Sequence, residues 1–263
     1  MNIAVLIKQV PVSNNVSVDP ETHALVRESS EGMINPADLN AIESALLLKE
    51  KTDGKVVVFT MGPQDAEKAL RDAMALGCDE SCLITDRVFA GGDTVATAKV
   101  LAAALKKYGT FDLIMSGALS ADGATGQVGA MVAECMGMPH VAEIQSVDLD
   151  QENDKYIEIV KKVHDDKIRA RVELPAVVSL NFGCNEPRLA TLRTKRAAKT
   201  KPLAVYTNAE LEFAPEKTGL IGSPTAAIDS FEPECAKKAT FLQGSIEELA
   251  KQLNDLIEEE KGK

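Results

Sequence analysis

Near-continuous apolar runs alternate with helical stripes through the first half of the chain. Ile3–Ile7, Val56–Thr60, Ser81–Thr85 and Phe111–Met115 are short runs that fit parallel strands covered on both faces. Between them, Leu39, Ile42, Ala45 and Leu46 form one helical stripe, and Ala66, Ala69, Leu70 and Ala73 form another. Gly77 and Gly109 stand where helices end. Asn35-Pro-Ala-Asp38 reads as a helix start, with Asn35 as N-cap, Pro36 at the first helical position and Asp38 near the positive dipole end. This alternation predicts an α/β fold with a right-handed, doubly wound, mostly parallel sheet.

From about Val147 the pattern changes. Tyr156–Val163 and Ile168–Leu174 flank His164–Lys167 and predict a β-hairpin. In its second arm Ile168, Ala170, Val172 and Leu174 should face one way, and Arg169, Arg171 and Glu173 the other. Pro175 then precedes the apolar run Ala176–Leu180. The nucleotide-binding α/β domain is therefore expected over residues 1–201, with the hairpin at about 147–174.

After Lys201 the periodicity weakens, and Ala209–Gly244 holds no convincing long element. Irregular chain of that length suits an extended arm. Ser245-Ile-Glu-Glu248 is a capping box, and Ile246, Leu249, Leu253, Leu256 and Ile257 continue it as a helical stripe. Residues 202–263 are thus expected to be a C-terminal arm ending in a helix. Its own domain or a partner subunit would meet the stripe's need for a packing surface.

Composition narrows the function. With 29 basic and 40 acidic residues the formal charge is −11, which argues against binding nucleic acid or an anionic membrane surface. The N-terminal apolar run is too short for a signal peptide, and no stretch is long enough to span a bilayer, so a cytoplasmic protein is expected. Cys78, Cys82, Cys135, Cys184 and Cys235 contain no C-x-x-C pair, and His23, His140 and His164 are isolated. No metal site is expected.

Three segments carry candidate chemistry. The first, Ser116–Gly129, lies between the run Phe111–Met115 and a helix expected over Val128–Cys135. A strand, a small-residue loop and a helix start place backbone N–H groups around a phosphate. Gly117, Gly123, Gly126 and Gly129 allow close approach, while Asp122, Thr125 and Gln127 add polarity suited to ribose and phosphate. A plain strand-to-helix turn is the simpler alternative, and neither the Rossmann fingerprint nor a Walker lysine is present.

The second segment, Asp86–Thr94, also joins a strand to a helix. Asp93 or Thr94 can cap that helix; Arg87 can pair with a phosphate and Phe89 can cover a planar ring. Parallel strands would bring this loop to the same sheet edge as the glycine-rich one. The third runs from Leu174 through Asn185-Glu-Pro-Arg188 into a block, Arg188–Lys201, with six basic residues and no acidic one. It is either a solvated helix face or a dock for an acidic surface or phosphate. No nucleophile elbow, H-E-x-x-H or acid–base dyad is readable, so the chain holds a nucleotide or flavin and supplies no catalytic side chain.

Taken in order, Val5-Leu-Ile-Lys-Gln-Val-Pro11, Asn35-Pro-Ala-Asp38, Thr60-Met-Gly-Pro63, Ala75-Leu-Gly-Cys-Asp79, Asp122-Gly-Ala-Thr-Gly-Gln127 and Leu174-Pro-Ala-Val-Val178 with Asn185-Glu-Pro-Arg188 resemble the β subunits of electron-transfer flavoproteins. The resemblance covers nearly the whole chain. It implies a heterodimer with an α subunit that carries its own flavin adenine dinucleotide (FAD), and a recognition loop for acyl-CoA dehydrogenases at Phe182, Gly183 and Cys184. By position, Leu6, Asn35, Asp38, Met61, Gly117, Asp122, Thr125 and Gln127 would line an adenine nucleotide.

Some members of that family bind AMP there, and electron-bifurcating members bind a second FAD reduced by NADH. Asp86–Thr94 and Gly219–Thr225 resemble the bifurcating group. That group passes one electron to ferredoxin or flavodoxin and the other, through the α-subunit FAD, to an acyl-CoA dehydrogenase or reductase. Arg87, Phe89 and Asp93 would then shape the flavin and NADH side. Three positions depart from the family: Ala124 and Gly126 replace an Asp and an Ala, and Cys184 replaces a larger aliphatic residue. A stress-protein-like adenine-nucleotide sensor, working without an α partner, is the alternative of another class.

Overall fold

The structure, a computed structural model, describes residues 1–12, 17–18, 25–26, 32–226, 228 and 241–261. The chain divides into two compact units, Met1–Ile228 and Asp229–Lys263. His23 and Cys235 lie outside the described residues.

The first unit opens with strand β1 (Asn2–Leu6) and an excursion of short strands: β2 (Gln9–Pro11), β3 (Ser17–Val18), β4 (Leu25–Val26) and β5 (Gly32–Ile34). Helix α1 (Pro36–Thr52) returns the chain to β6 (Lys55–Met61), and α2 (Glu67–Leu76) leads to β7 (Glu80–Ile84). Then follow α3 (Thr94–Tyr108), β8 (Leu113–Gly117), α4 (Val128–Met136), β9 (His140–Leu149), β10 (Tyr156–Val163), β11 (Asp166–Glu173) and β12 (Ala176–Leu180). Helix α5 (Leu192–Ala198), β13 (Leu203–Tyr206) and the single turn α6 (Asn208–Leu211) complete the regular elements of this unit.

The sheet has nine strands in the order β11-β10-β9-β12-β8-β1-β6-β7-β13. Strands β12, β8, β1, β6, β7 and β13 run parallel, and β9 is parallel to β12. Ile3, Val5, Val56 and Val58 face a core shared with α1 and α2. Ala4, Val57 and Phe59 face a second core shared with α3 and α4. Helices therefore cover both faces, which is why the strands read as unbroken apolar runs. The doubly wound expectation holds.

The chain leaves β1 toward one side of the sheet and β8 toward the other, so the order reverses between these neighbours. Ligands of open α/β sheets bind at such a reversal, beyond the carboxyl ends of the strands. Leu6 ends β1 and pairs with Ser116; Gly117 ends β8 and pairs with Leu180.

Three expectations change. The boundary at residue 201 moves, because β13 pairs with β7 and the first compact unit runs to Ile228. The hairpin is real, with Val163 opposite Asp166, but a third strand precedes it: β9 begins at His140. Its first half is hard to read because Glu143 takes a left-handed φ of 58° and the register against β12 shifts. In β11 only Val172 is buried and Ile168 is exposed, since β11 forms the sheet edge, two strands beyond β9, where α1 and α4 pack.

In the second unit, α7 (Ile246–Lys261) starts at the expected capping box. The Ser245 N–H donates to Glu248 Oε2 at 2.8 Å, and the Glu248 N–H to Ser245 Oγ at 3.4 Å.

Candidate nucleotide site

Helix α1 holds the glycine-rich loop at its origin. Asp38, in the first turn, accepts the Lys8 N–H on Oδ2 at 2.7 Å and the Gly117 N–H on Oδ1 at 2.9 Å. A Cβ on Gly117 would lie 2.4 Å from Asp38 Oδ1 and 2.7 Å from Ala37 Cβ, so this junction admits only glycine. Burial pushes the Asp38 carboxyl up to about 7, against the pull of those two N–H donors and of the Lys8 charge.

Asn35 does not cap α1 with its side chain, contrary to expectation. Its Nδ2 donates to the Leu119 carbonyl at 2.8 Å and its Oδ1 accepts the Ala121 N–H at 3.0 Å. The amide that fits an N-cap by sequence is drawn across to satisfy the loop backbone instead.

Lys8 adds a further staple that sequence reasoning passed over. Its Nζ lies 2.6 Å from Asp122 Oδ1. The Asp122 side chain is only 5% exposed, and its Oδ1 also accepts the Gly123 N–H at 2.8 Å. Burial pushes this carboxyl up, but Lys8, Ser120 and the Gly123 N–H outweigh it and hold it below the usual carboxylate range. The expected ligand-facing carboxylate is turned into the loop as its organiser. Downstream, Ala124 and Gly126 take positive φ of 48° and 63°, so the loop doubles back before α4. Gly123, Thr125 and Gly126 remain exposed.

Two observations fit a phosphate-bearing group here. Gln127, at the N-cap of α4, makes no side-chain cap, which leaves first-turn N–H groups without a side-chain acceptor. Ser116 Oγ is buried beneath them with no partner among the described residues. A Cβ on Gly129 would come within 3.1 Å of that hydroxyl, so the glycine keeps the floor of the cradle open.

The second loop meets the first as expected: the Thr94 hydroxyl donates to Gln127 Oε1 at 2.9 Å. Asp93 caps α3 through Oδ1, accepting from Val95 at 3.0 Å and Ala96 at 2.9 Å. Its Oδ2 accepts the Thr225 N–H at 3.0 Å and hydroxyl at 2.8 Å, while its own N–H donates to Ser223 Oγ at 2.8 Å. Gly219 lies so close beneath this loop, at φ +59°, that a Cβ would stand 2.1 Å from the Val88 carbonyl oxygen. Asp86–Thr94 and Gly219–Thr225, far apart along the chain, are one structure.

Arg87 is exposed beside them. Phe89 is not: it is 3% exposed and packs edge-on against Phe213 at 6.3 Å, so its expected role as cover for a planar ring is corrected. Leu6 and Met61 end β1 and β6 at the same sheet edge.

The third segment docks on α1. Asn40 Nδ2 donates to Asn185 Oδ1 at 2.7 Å, and Asn185 Nδ2 donates to Ser44 Oγ at 2.8 Å. Arg188 grips Glu43 and also reaches Glu50 Oε1 at 2.7 Å. These anchors present Phe182, 75% exposed, and Leu189, 92% exposed. Cys184 is half-buried against the core, and burial pushes its thiol up. In the basic block, Lys201 is spent on the Met74 and Cys78 carbonyls, and Arg193, Lys195, Arg196 and Lys199 remain exposed.

Among the described residues no His, Cys, Asp or Glu cluster could hold a metal, and no helix is long and apolar enough to cross a membrane. Cys78, Cys82, Cys135 and Cys184 are all free thiols.

Residues 22–211 match the family model of the electron transfer flavoprotein domain. The chain is 39% identical over 254 residues to the electron transfer flavoprotein subunit beta of Thermoanaerobacterium thermosaccharolyticum, covering 96% of each. It is 34% identical over 261 residues to the caffeyl-CoA reductase–Etf complex subunit CarD of Acetobacterium woodii, covering 98% of each. It is 35% identical over 265 residues to the acryloyl-CoA reductase electron transfer subunit gamma of Anaerotignum propionicum, again covering 98% of each. With the glycine-rich loop at the β1–β8 reversal and the Asn185–Arg188 anchor in place, the chain belongs to the electron transfer flavoprotein family, as one of its β subunits.

Proposed function

We propose that this β subunit binds FAD at the β1–β8 reversal and serves electron bifurcation in the cytoplasm, in a heterodimer with a flavin-bearing α subunit. NADH is the donor. Ferredoxin or flavodoxin receives one electron, and an acyl-CoA dehydrogenase or reductase receives the other through the α-subunit FAD. When bound, the FAD supplies two-electron acceptance from NADH and release of the electrons one at a time. The chain's residues do the rest: Thr125, Gly126 and Gln127 bring backbone donors to the diphosphate, Gly117 and Gly123, whose own N–H groups are held by Asp38 and Asp122, let it approach closely, Leu6, Asn35, Asp38 and Met61 lie beneath, and Asp122 shapes the loop.

The observation that carries this reading is the Thr94–Gln127 hydrogen bond, which joins the two loops into one cradle over the uncapped start of α4. Asp93, Thr94 and exposed Arg87 then border the space a flavin ring needs beyond the adenosine end. The names of the Acetobacterium woodii and Anaerotignum propionicum relatives, both tied to acyl-CoA reductases, support the acyl-CoA partner. We assign Phe182, Gly183 and Cys184 to its recognition and helix α7, at the end of the 202–263 arm, to packing on the α subunit.

Burial of Phe89 favours a second reading, in which the same loop holds AMP and the heterodimer is a simple electron carrier. Anaerobic titration of the copurified heterodimer with NADH separates the two. Bleaching of more than one flavin's absorbance per heterodimer is expected for bifurcation; no bleaching by NADH contradicts it.

A further inference from the structure

We propose that Lys8 is the residue that makes this loop select phosphate-bearing ligands, with Asp122 as its anchor. The inference rests on the nucleotide site proposed above and assigns the ligand-facing charge within it. Lys8 sits two residues beyond the end of β1, and its backbone is fixed on both sides. Its N–H donates to Asp38 Oδ2 at 2.7 Å, and its carbonyl accepts the Asn35 N–H at 2.9 Å. A lysine on so constrained a backbone delivers its ammonium to a defined place.

That place is the glycine-rich loop. Nζ lies 2.6 Å from Asp122 Oδ1 and 3.9 Å from where a Gly123 Cβ would stand. The two partners differ sharply in exposure: 40% for the Lys8 side chain and 5% for that of Asp122. The carboxylate lies behind the loop, committed to Lys8, Ser120 and the Gly123 N–H. An ammonium has three donors, and the Asp122 contact uses one. A ligand approaching this corner meets a cation.

At the glycine-rich loop itself the other donors are neutral, the first-turn N–H groups of α4 with the buried Ser116 hydroxyl beneath them, while the Arg87 guanidinium belongs to the second loop. The neutral donors can bind a phosphate's oxygens but do little to offset the field of a chain carrying −11. The pair is neutral as a whole, but its exposed member is the Lys8 ammonium, and Asp122, buried behind the loop, holds that ammonium in place. Lys8 therefore governs the preference for a nucleotide over a nucleoside, while the adenine and ribose contacts are made elsewhere.

The test is calorimetric titration of the full-length chain, wild type, Lys8→Met, Lys8→Arg and Asp122→Asn, with ADP and with adenosine as probes. Lys8→Met is expected to weaken ADP about tenfold or more and adenosine less than about twofold. Lys8→Arg should keep most of the ADP preference, and Asp122→Asn should keep its sign because the ammonium remains. Equal weakening of ADP and adenosine in Lys8→Met would show that Lys8 only shapes the loop and would overturn the proposal, as would unchanged ADP affinity. If wild type binds neither probe, the nucleotide site itself is wrong and this assignment falls with it.

Discussion

Arg188 closes around the carboxylate of Glu43. Its Nε donates to Oε2 and its Nη2 to Oε1, both at 2.9 Å, and its backbone N–H adds a third bond to Oε2 at 3.0 Å. Glu43 is a buried residue of α1, and Arg188 ends Asn185-Glu-Pro-Arg188, one of the motifs that carry the family resemblance. That motif is thus a structural anchor: it fixes the Phe182–Leu189 segment to α1, the helix whose first turn holds the glycine-rich loop.

Arg188→Met should therefore cost about 3 kcal/mol in urea unfolding, because Glu43 is left buried without its partner. Glu43→Gln combined with Arg188→Met should cost clearly less than the sum of the single changes. The pair also has a pH signature. Burial pushes the Glu43 carboxyl up, but the Arg188 bonds and charge outweigh it and hold it below its ordinary value of 4.5. Its contribution is present above 4.5 and is lost as pH falls through the lower folded value. Strict additivity in the double mutant would refute the coupling.

Asp38 behaves in the opposite sense. The folded carboxyl keeps its proton up to about 7, whereas its ordinary value is 3.8. Its contribution is fully present below 3.8 and is lost as pH rises through about 7. Wild type should lose stability relative to Asp38→Asn between about pH 5 and pH 7, with a slope approaching 1.4 kcal/mol per pH unit. Denaturation midpoints across that range measure it. A constant gap between the two proteins would contradict the assignment.

Gly117→Ala places a Cβ 2.4 Å from Asp38 Oδ1. The expected loss is about 2 kcal/mol of stability, with weakened nucleotide binding because the loop can no longer start beside α1. Gly109→Ala is the control: a Cβ there meets nothing within 4 Å, and although its φ of 157° strains an alanine, the site is remote from the loop and nucleotide binding should persist. Equal effects on binding from both changes would argue against the close approach as cause.

Asp93 joins a helix cap to the segment beneath the second loop. Asp93→Ala should cost about 1–2 kcal/mol through the lost α3 cap. It should also speed hydrogen exchange at Thr225, whose N–H bonds directly to Oδ2 at 3.0 Å. Faster exchange at the start of α3 without any change at Thr225 would show that the two functions are separate.

The parallel strands and the helices of the first half were legible because both faces of the sheet are buried, which leaves apolar runs bounded by glycine and proline. Strand β13 was not, since Leu203–Tyr206 is a short edge strand that follows a basic block and carries only partial burial. Position along the chain found the loops at one edge; it could not tell which side chains face a ligand. Asp122 and Lys8 both read as polar, and only their relative burial reverses the roles. Phe89 is a similar case, because an aromatic in a loop looks available until Phe213, distant in sequence, covers it.

The central claim, that the β1–β8 cradle holds a complete flavin, is tested most directly by extracting and counting the nucleotides of the copurified heterodimer. Two FAD and no AMP per heterodimer is the expected result. One FAD with one AMP would contradict it.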